Sequence, residues 1–323
     1  MEKIKELICV HTGAADSVKT PKIIEDLTDF FAVQYNDVVV LGEKPYLIRG
    51  NQREGRFGIE DEPKFWVRNA IDLTDGKTKI IKMIFTEEYM ANIGGILFRC
   101  IRSPKKEARV LEKVKHHERF MHGFGIHDKA GNTIRVIDYI KGINLTDHVL
   151  NQSKNHEQYY FTKFKVIFDE FIELVKAIEF LHNCGEKHGD IRRDHVIIDS
   201  ETGIARWIDF DYTFTNSENR FGFDLFGLGN ILMFLTGGGD ITHHQLSKWQ
   251  HKALECLSDD DLSVVIQNRV ANLKKVFPYI GDELNYVLLH FSQGAEVFYE
   301  TTGEFLSDLH EVNEKLYNKA WNV

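Results

Sequence analysis

His188-Gly189-Asp190-Ile191-Arg192-Arg193-Asp194-His195-Val196-Ile197-Ile198-Asp199, with Trp207-Ile208-Asp209-Phe210-Asp211 shortly behind it, is the most informative stretch of this 323-residue sequence. It presents a carboxylate at Asp190, a cation two residues later at Arg192, and a potential metal ligand at His195 that leads into an apolar strand. Asp209 and Asp211 follow, spaced to share one face of an extended segment. Alone, a His-Gly-Asp tripeptide is a polar turn with incidental carboxylates, so its meaning depends on what surrounds it.

Upstream, Lys82 interrupts the apolar strand pattern Ile80-Ile81-Lys82-Met83-Ile84-Phe85. A lysine inside such a strand needs a partner. Ser103-Pro104 signals a capped helix whose Ala108, Leu111 and Val114 recur at helical spacing, and Glu107 lies on that helix, where by itself it reads equally as an exposed charge. Glu112, five residues on, projects from a different face. Downstream, Asp224-Leu225-Phe226-Gly227-Leu228-Gly229-Asn230-Ile231-Leu232 has Asp224 as a candidate N-cap before an apolar helix, and it resembles the buried central helix of the protein-kinase helical lobe, which implies instead that Asp224 accepts backbone hydrogen bonds from the 188–199 loop.

Together these segments resemble the protein-kinase superfamily over about residues 46–315. The late segment Asp282-Glu283-Leu284 to Leu309 is similar to the last helices of bacterial Ser/Thr kinases. The resemblance implies an α+β, two-lobed protein-kinase-like fold: a small β-rich N-lobe with one main helix, and a larger helical C-lobe. The expected division is an N-terminal extension over 1–45, the N-lobe over 46–138 and the C-lobe over 139–323, with a ligand cleft at the junction. It also implies the reagents of phosphoryl transfer, in which the protein positions the acceptor, bridges phosphates by metal and offsets charge. Asp190 would orient the acceptor hydroxyl and accept its proton, Arg192 would stand near the transferred phosphate, and Asp209 would hold Mg²⁺. Lys82, paired with Glu107, would meet the α- and β-phosphates of ATP. Backbone groups of Asp138 and Ile140 would bind the adenine edge, above an apolar surface from Ile197. Gly55 and Gly58 would supply flexible backbone over the phosphates, although a plain hairpin turn fits them equally.

The sequence departs from the family pattern in places that bear on the substrate. Arg53 stands where the first loop glycine belongs, and Ile80 would crowd the upper face of an adenine. His195 replaces an Asn metal ligand, and imidazole suits Mn²⁺ better than hard Mg²⁺. Asp211 replaces a glycine and is either a second metal ligand or a turn former. Gly189 replaces an arginine that answers a phosphorylated loop. Fourteen residues separate Asp209 from Asp224, with no Ala-Pro-Glu among them, which shortens the segment that seats a peptide.

Composition narrows the class. The chain is 43% apolar and 28% charged, as in globular proteins. A net charge of −9 disfavours nucleic acid and anionic membrane as partners. Four dispersed cysteines signal neither a disulfide framework nor a zinc ribbon, and no run reaches a membrane span or a secretion signal. The expectation is a cytoplasmic ATP-dependent kinase acting on a protein or small-molecule hydroxyl, most simply Ser/Thr of a protein. The alternatives are a small-molecule or lipopolysaccharide-sugar kinase, suggested by Gly189, His195 and the short segment, and a nucleotide-binding pseudokinase. Local patterns further predict a helix from Pro21 to about Phe31, a strand over Val38–Leu41, and helices near 160–183, 224–236, 261–277, 282–293 and 302–317.

Overall fold

Apolar residues in the first half of the chain recur with the two-residue period of strands, and strands form there. The structure is a computed structural model that describes residues 2–13, 21–54, 62–153, 155–216 and 219–320. Helix α1 (Glu2–Thr12) precedes β1 (Ile23–Ile24), β2 (Val38–Leu41), β3 (Lys44–Glu54), β4 (Glu62–Asp72) and β5 (Thr78–Lys82). A hairpin of β6 (Glu87–Ile93) and β7 (Ile96–Arg102) leads to α2 (Pro104–Val114), β8 (Gly123–His127) and β9 (Thr133–Asp138). Then come β10 (Gly142–Asn144), α3 (Leu145–Leu150), α4 (His156–Tyr159) and α5 (Lys165–Asn183). Strands β11 (Val196–Asp199), β12 (Ala205–Trp207) and β13 (Tyr212–Thr215) precede α6 (Gly222–Gly237) and α7 (His243–Lys248). The chain closes with α8 (Leu273–Val276), α9 (Asp282–Leu289) and α10 (Thr302–Ala320). This is an α+β chain with a curled β-sheet in its N-terminal region and a helical C-terminal part, consistent with a two-lobed kinase-like fold.

Contacts divide the chain into two units: Met1–Glu87 with Arg102–His116 and Met121–Ile140, and Glu88–Ile101 with His117–Phe120 and Lys141–Val323. The first is a seven-stranded sheet in the order β1-β2-β3-β4-β5-β9-β8, antiparallel except for the β1–β2 pair. Its core gathers Leu27, Val39, Leu41, Ile48, Ile81, Met83 and Val136. Residues 23–41 thus contribute two strands to the sheet.

The helix expected from Pro21 to Phe31 does not form. Ile23 and Ile24 instead pair with Val38 and Val39, and two aspartates turn the backbone back on itself. Asp26 accepts the Thr28 N–H and Asp29 the Phe31 N–H, each at 2.9 Å, the local competition by which Asp opposes helix. The Leu27 N–H goes to Asp128, 2.7 Å away.

The second unit is mainly helical. Helix α6 is apolar on nearly every side and correspondingly buried. Gly229 lets Phe291 approach so closely that a Cβ there would lie 2.3 Å from the ring. The pattern near 160–183 resolves into α4, one π-helical turn over Tyr160–Phe164, and α5. The helix expected over 261–277 shrinks to a 3₁₀ turn at Asp259–Asp261 and to α8. Asp261 draws the intervening chain around itself, accepting from the Ser258 N–H at 2.8 Å and from Asn272 and Lys275 at 2.7 Å each. Leu262 and Ser263 make isolated β-bridges instead.

The β6–β7 hairpin is an element that strand patterning passed over. Its turn is Gly94-Gly95, both at positive φ (58° and 84°). It joins β13 in the order β13-β7-β6, and buried Phe98 packs edge-on against Phe214 at 5.8 Å. No helix among the described residues is long and apolar enough to cross a membrane.

Candidate active site

Ile80 and Lys82 share one face of β5, because side chains two apart along a strand point the same way. Lys82 lies across the ladder from Val67 of β4 and Arg135 of β9, with a side chain only 3% exposed. A buried ammonium is tolerable only beside an anion. Glu107 provides it, accepting from Lys82 Nζ at 2.7 Å through Oε1. Ser103 and Pro104 set the start of α2, the serine Oγ accepting the Lys106 N–H at 3.3 Å. From that start Glu107 turns inward with Val110, Leu111 and Val114.

Glu107 has a second cation that sequence reading did not single out. Arg135 Nε donates to Oε2 at 3.0 Å, and Nη1 donates to the carbonyls of Met83 and Thr133, both at 3.0 Å. The signal was present in Ile134-Arg135-Val136-Ile137, where an arginine interrupts an apolar strand as Lys82 does. Asp138 ends β9 opposite Lys79, with which it forms an ion pair. Its N–H donates to the His122 carbonyl at 2.8 Å, which leaves its carbonyl as the backbone group to offer. Ile140 follows, half-buried. Gly55 and Gly58 lie outside the described residues.

In the second unit, the 188–199 stretch becomes a loop, a 3₁₀ turn over Arg193–His195, and β11. Ile197 is half-buried on β11, between Asn144 of β10 and Arg206 of β12. The loop is clamped from beneath by Asp224 in the first turn of α6. Its Oδ2 accepts from the His188 N–H at 2.7 Å and its Oδ1 from the Gly189 N–H at 2.8 Å, while His182 Nε2 lies 2.9 Å from Oδ2. Burial alone would raise this carboxyl, but these donors outweigh it and hold Asp224 below the usual carboxylate range. Of the two sequence readings of Asp224, the loop acceptor is the observed one; Phe221 is the N-cap.

Gly189 has φ +87°, and a Cβ there would lie 1.9 Å from the Tyr212 carbonyl oxygen. A side chain is excluded on both counts. The glycine is therefore the condition for bringing residue 212 against the loop.

His195 sits between the two predicted carboxylates. Its Nδ1 is 2.9 Å from the Asp190 carbonyl and 3.6 Å from Asp190 Oδ2, and its Nε2 is 3.6 Å from Asp209 Oδ2. A carbonyl only accepts, so Nδ1 carries the proton at that contact. Asp209 adopts φ +63°, a left-handed conformation that Asp tolerates better than most residues. Its carboxylate and that of Asp211 have oxygens within 4.8 Å of each other. Two hard carboxylates suit an oxygen-seeking cation such as Mg²⁺ or Mn²⁺, and His195 Nε2 lies 3.6 Å from one of them.

Asp190 is mostly buried, its side chain 14% exposed. Burial pushes its carboxyl up; His195 and Arg192 oppose this, while Asp211 and Asp209 add to it. Arg192 turns to Asp194, donating from Nε to Oδ1 at 3.0 Å and from Nη2 to Oδ2. Arg193 anchors the loop elsewhere, with two bonds of 2.8 Å to Asp240 and its guanidinium 4.1 Å above the Phe234 ring. Neither Arg193 nor Asp240 was singled out from sequence, since nothing local links positions so far apart.

The structure thus gathers the predicted residues into two clusters, Lys82 with Glu107, and Asp190 with His195 and Asp209. No family model matches the sequence. It is 30% identical over 117 residues to the "Probable serine/threonine-protein kinase fnkB" of Dictyostelium discoideum, covering 36% of this chain and 21% of that protein. Identity is 24% to "Serine/threonine-protein kinase RAD53" of Saccharomyces cerevisiae, over 43% of this chain and 15% of the relative. It is also 24% to "Serine/threonine-protein kinase PAK 5" of Rattus norvegicus, over 47% of this chain and 20% of the relative. Partial similarity to serine/threonine protein kinases supports a protein-kinase-like superfamily assignment. The chain spans about a fifth or less of the length of these curated relatives.

Proposed function

We propose that this chain is an ATP-dependent phosphotransferase that moves the γ-phosphate to a hydroxyl, with Ser or Thr of a protein as acceptor. The observation that carries the reading is His195 standing between Asp190 and Asp209 on a loop clamped by buried Asp224. In this reading Asp190 accepts the proton of the attacking hydroxyl, and Arg192 offsets charge on the transferred group. Asp209 and His195, with Asp211 beside them, would hold Mg²⁺ or Mn²⁺. The ion would supply positive charge to offset that of the phosphate groups. Lys82, oriented by Glu107, would meet the α- and β-phosphates. Asp138 and Ile140 would offer backbone groups to the adenine edge, Ile197 an apolar surface, and Gly55 and Gly58 cover for the phosphates.

A second reading, a small-molecule or lipopolysaccharide-sugar kinase, is favoured by one observation. Of the fourteen residues between Asp209 and Asp224, Tyr212–Thr215 are already committed to β13, paired with the hairpin. That leaves little chain on which to seat a peptide. Incubation with labelled ATP, Mg²⁺ or Mn²⁺, and a panel of generic protein, sugar and aminoglycoside acceptors separates the readings. Label on protein Ser/Thr is the expected result, and label confined to sugars or aminoglycosides would select the second. Thermal stabilisation by nucleotide with no transfer to any acceptor would overturn both in favour of a nucleotide-binding pseudokinase.

A further inference from the structure

Glu107 is where two buried cations meet, one on each oxygen: Lys82 at Oε1 and Arg135 at Oε2. The two are unequal holders. Lys82 reaches the carboxylate on a four-carbon stem as a point charge, whereas Arg135 presents a planar fork. That fork makes three bonds of 3.0 Å, one to Glu107 and two to main-chain carbonyls at Met83 and Thr133. Its side chain is 2% exposed. Arg135 is also the cross-strand partner of Lys82, so β5 and β9 present adjacent cations to one residue of α2. The carboxylate is therefore fixed in orientation by Arg135 at one oxygen while Lys82 bonds the other.

We infer that Arg135 is a positioning residue for nucleotide phosphates, holding Glu107 and α2 to the sheet so that Lys82 is aimed. The inference rests on the phosphotransferase reading, which it deepens. MgATP is titrated calorimetrically into the wild-type chain, Arg135→Met and Arg135→Lys. Arg135→Met should raise Kd about tenfold, the equivalent of one charge-assisted hydrogen bond, and should also lower thermal stability because it breaks a buried ion-pair network. Arg135→Lys, which keeps the charge but loses the fork, should recover part of the affinity. Added to Glu107→Gln, Arg135→Met should cost no further affinity, since both act through one contact. A folded Arg135→Met with wild-type Kd, or losses that multiply in the double variant, would overturn the inference.

Hydrogen exchange provides an arm that needs no nucleotide. Arg135→Met should speed exchange of the α2 amides more than Lys82→Met does, and the reverse order would overturn the inference. A wild-type chain that binds no MgATP would remove the phosphotransferase reading, while exchange still decides whether Arg135 holds Glu107. Should Arg135→Met fail to fold, Arg135→Lys carries both measurements.

Discussion

Lys82, Glu107 and Arg135 stand on two strands and a helix, whereas Asp190, His195 and Asp209 stand on loops. In the first cluster, strand register and a capped helix place the groups, and hydrogen bonds only lock what the ladder has delivered. In the second, no ladder delivers anything. Asp224 grips two loop amides, Arg193 is tied to Asp240, and Gly189 and Asp209 adopt positive φ so that the chain can pass. A site on regular elements inherits its precision from the fold, while a site on loops needs dedicated supports, each a point of vulnerability.

The contrast is sharpest in turnover. Asp190→Asn should cut phosphoryl transfer by about a thousandfold, the range of a lost general base, with MgATP affinity nearly unchanged. Asp209→Ala should weaken metal-dependent nucleotide binding as well. Equal transfer rates in wild type and Asp190→Asn would remove the proposed chemistry from the loop cluster.

Next in size is the support beneath the loop. Asp224→Asn should destabilise the chain by roughly 3 kcal/mol, because it breaks a buried network of charge-assisted hydrogen bonds. The sign with pH follows from the depressed folded-state value. The contribution of Asp224 is fully present above the ordinary carboxylate range and is lost as pH falls through the lower folded value. Chemical denaturation should therefore show a constant gap between wild type and variant at neutral pH that closes below about pH 4. A gap that widened on acidification would contradict this assignment.

Gly189→Ala tests the backbone itself. The left-handed φ and the contact with the Tyr212 carbonyl should together cost about 2 kcal/mol. Thermal melts of an Ala variant matching wild type would show that the loop can relax. The smallest effect is expected at the metal: His195→Asn should lower the Mn²⁺-to-Mg²⁺ activity ratio several-fold, about 1 kcal/mol, by removing the softer donor. An unchanged ratio would take His195 out of the ligand set.

Some of this was readable from local sequence. Lys82 in an apolar strand demanded an anion, and Ser103-Pro104 announced the helix that carries it. The same rule applied to Arg135 would have found its role, since the motif differs only in the cation. Other features resisted for physical reasons. Asp26 and Asp29 carry a helix-compatible pattern but spend their side chains on nearby amides. Asp261 does likewise where a helix over 261–277 was expected, collecting Asn272 and Lys275 from more than ten residues away. The hairpin at Glu87–Arg102 alternates weakly and is stabilised by pairing with β13, over a hundred residues downstream.

By itself the amino-acid sequence determined many of the strands and helices and the chemical character of the groups, because periodicity, capping and the cost of burying charge act over a few residues. Tertiary structure alone decided how those groups are shared and held: that Glu107 serves two cations, that Asp224 clamps a loop thirty-five residues before it, and that position 189 has no room for a side chain. Such facts depend on which distant segments meet at van der Waals distance, and short-range propensities carry no record of that.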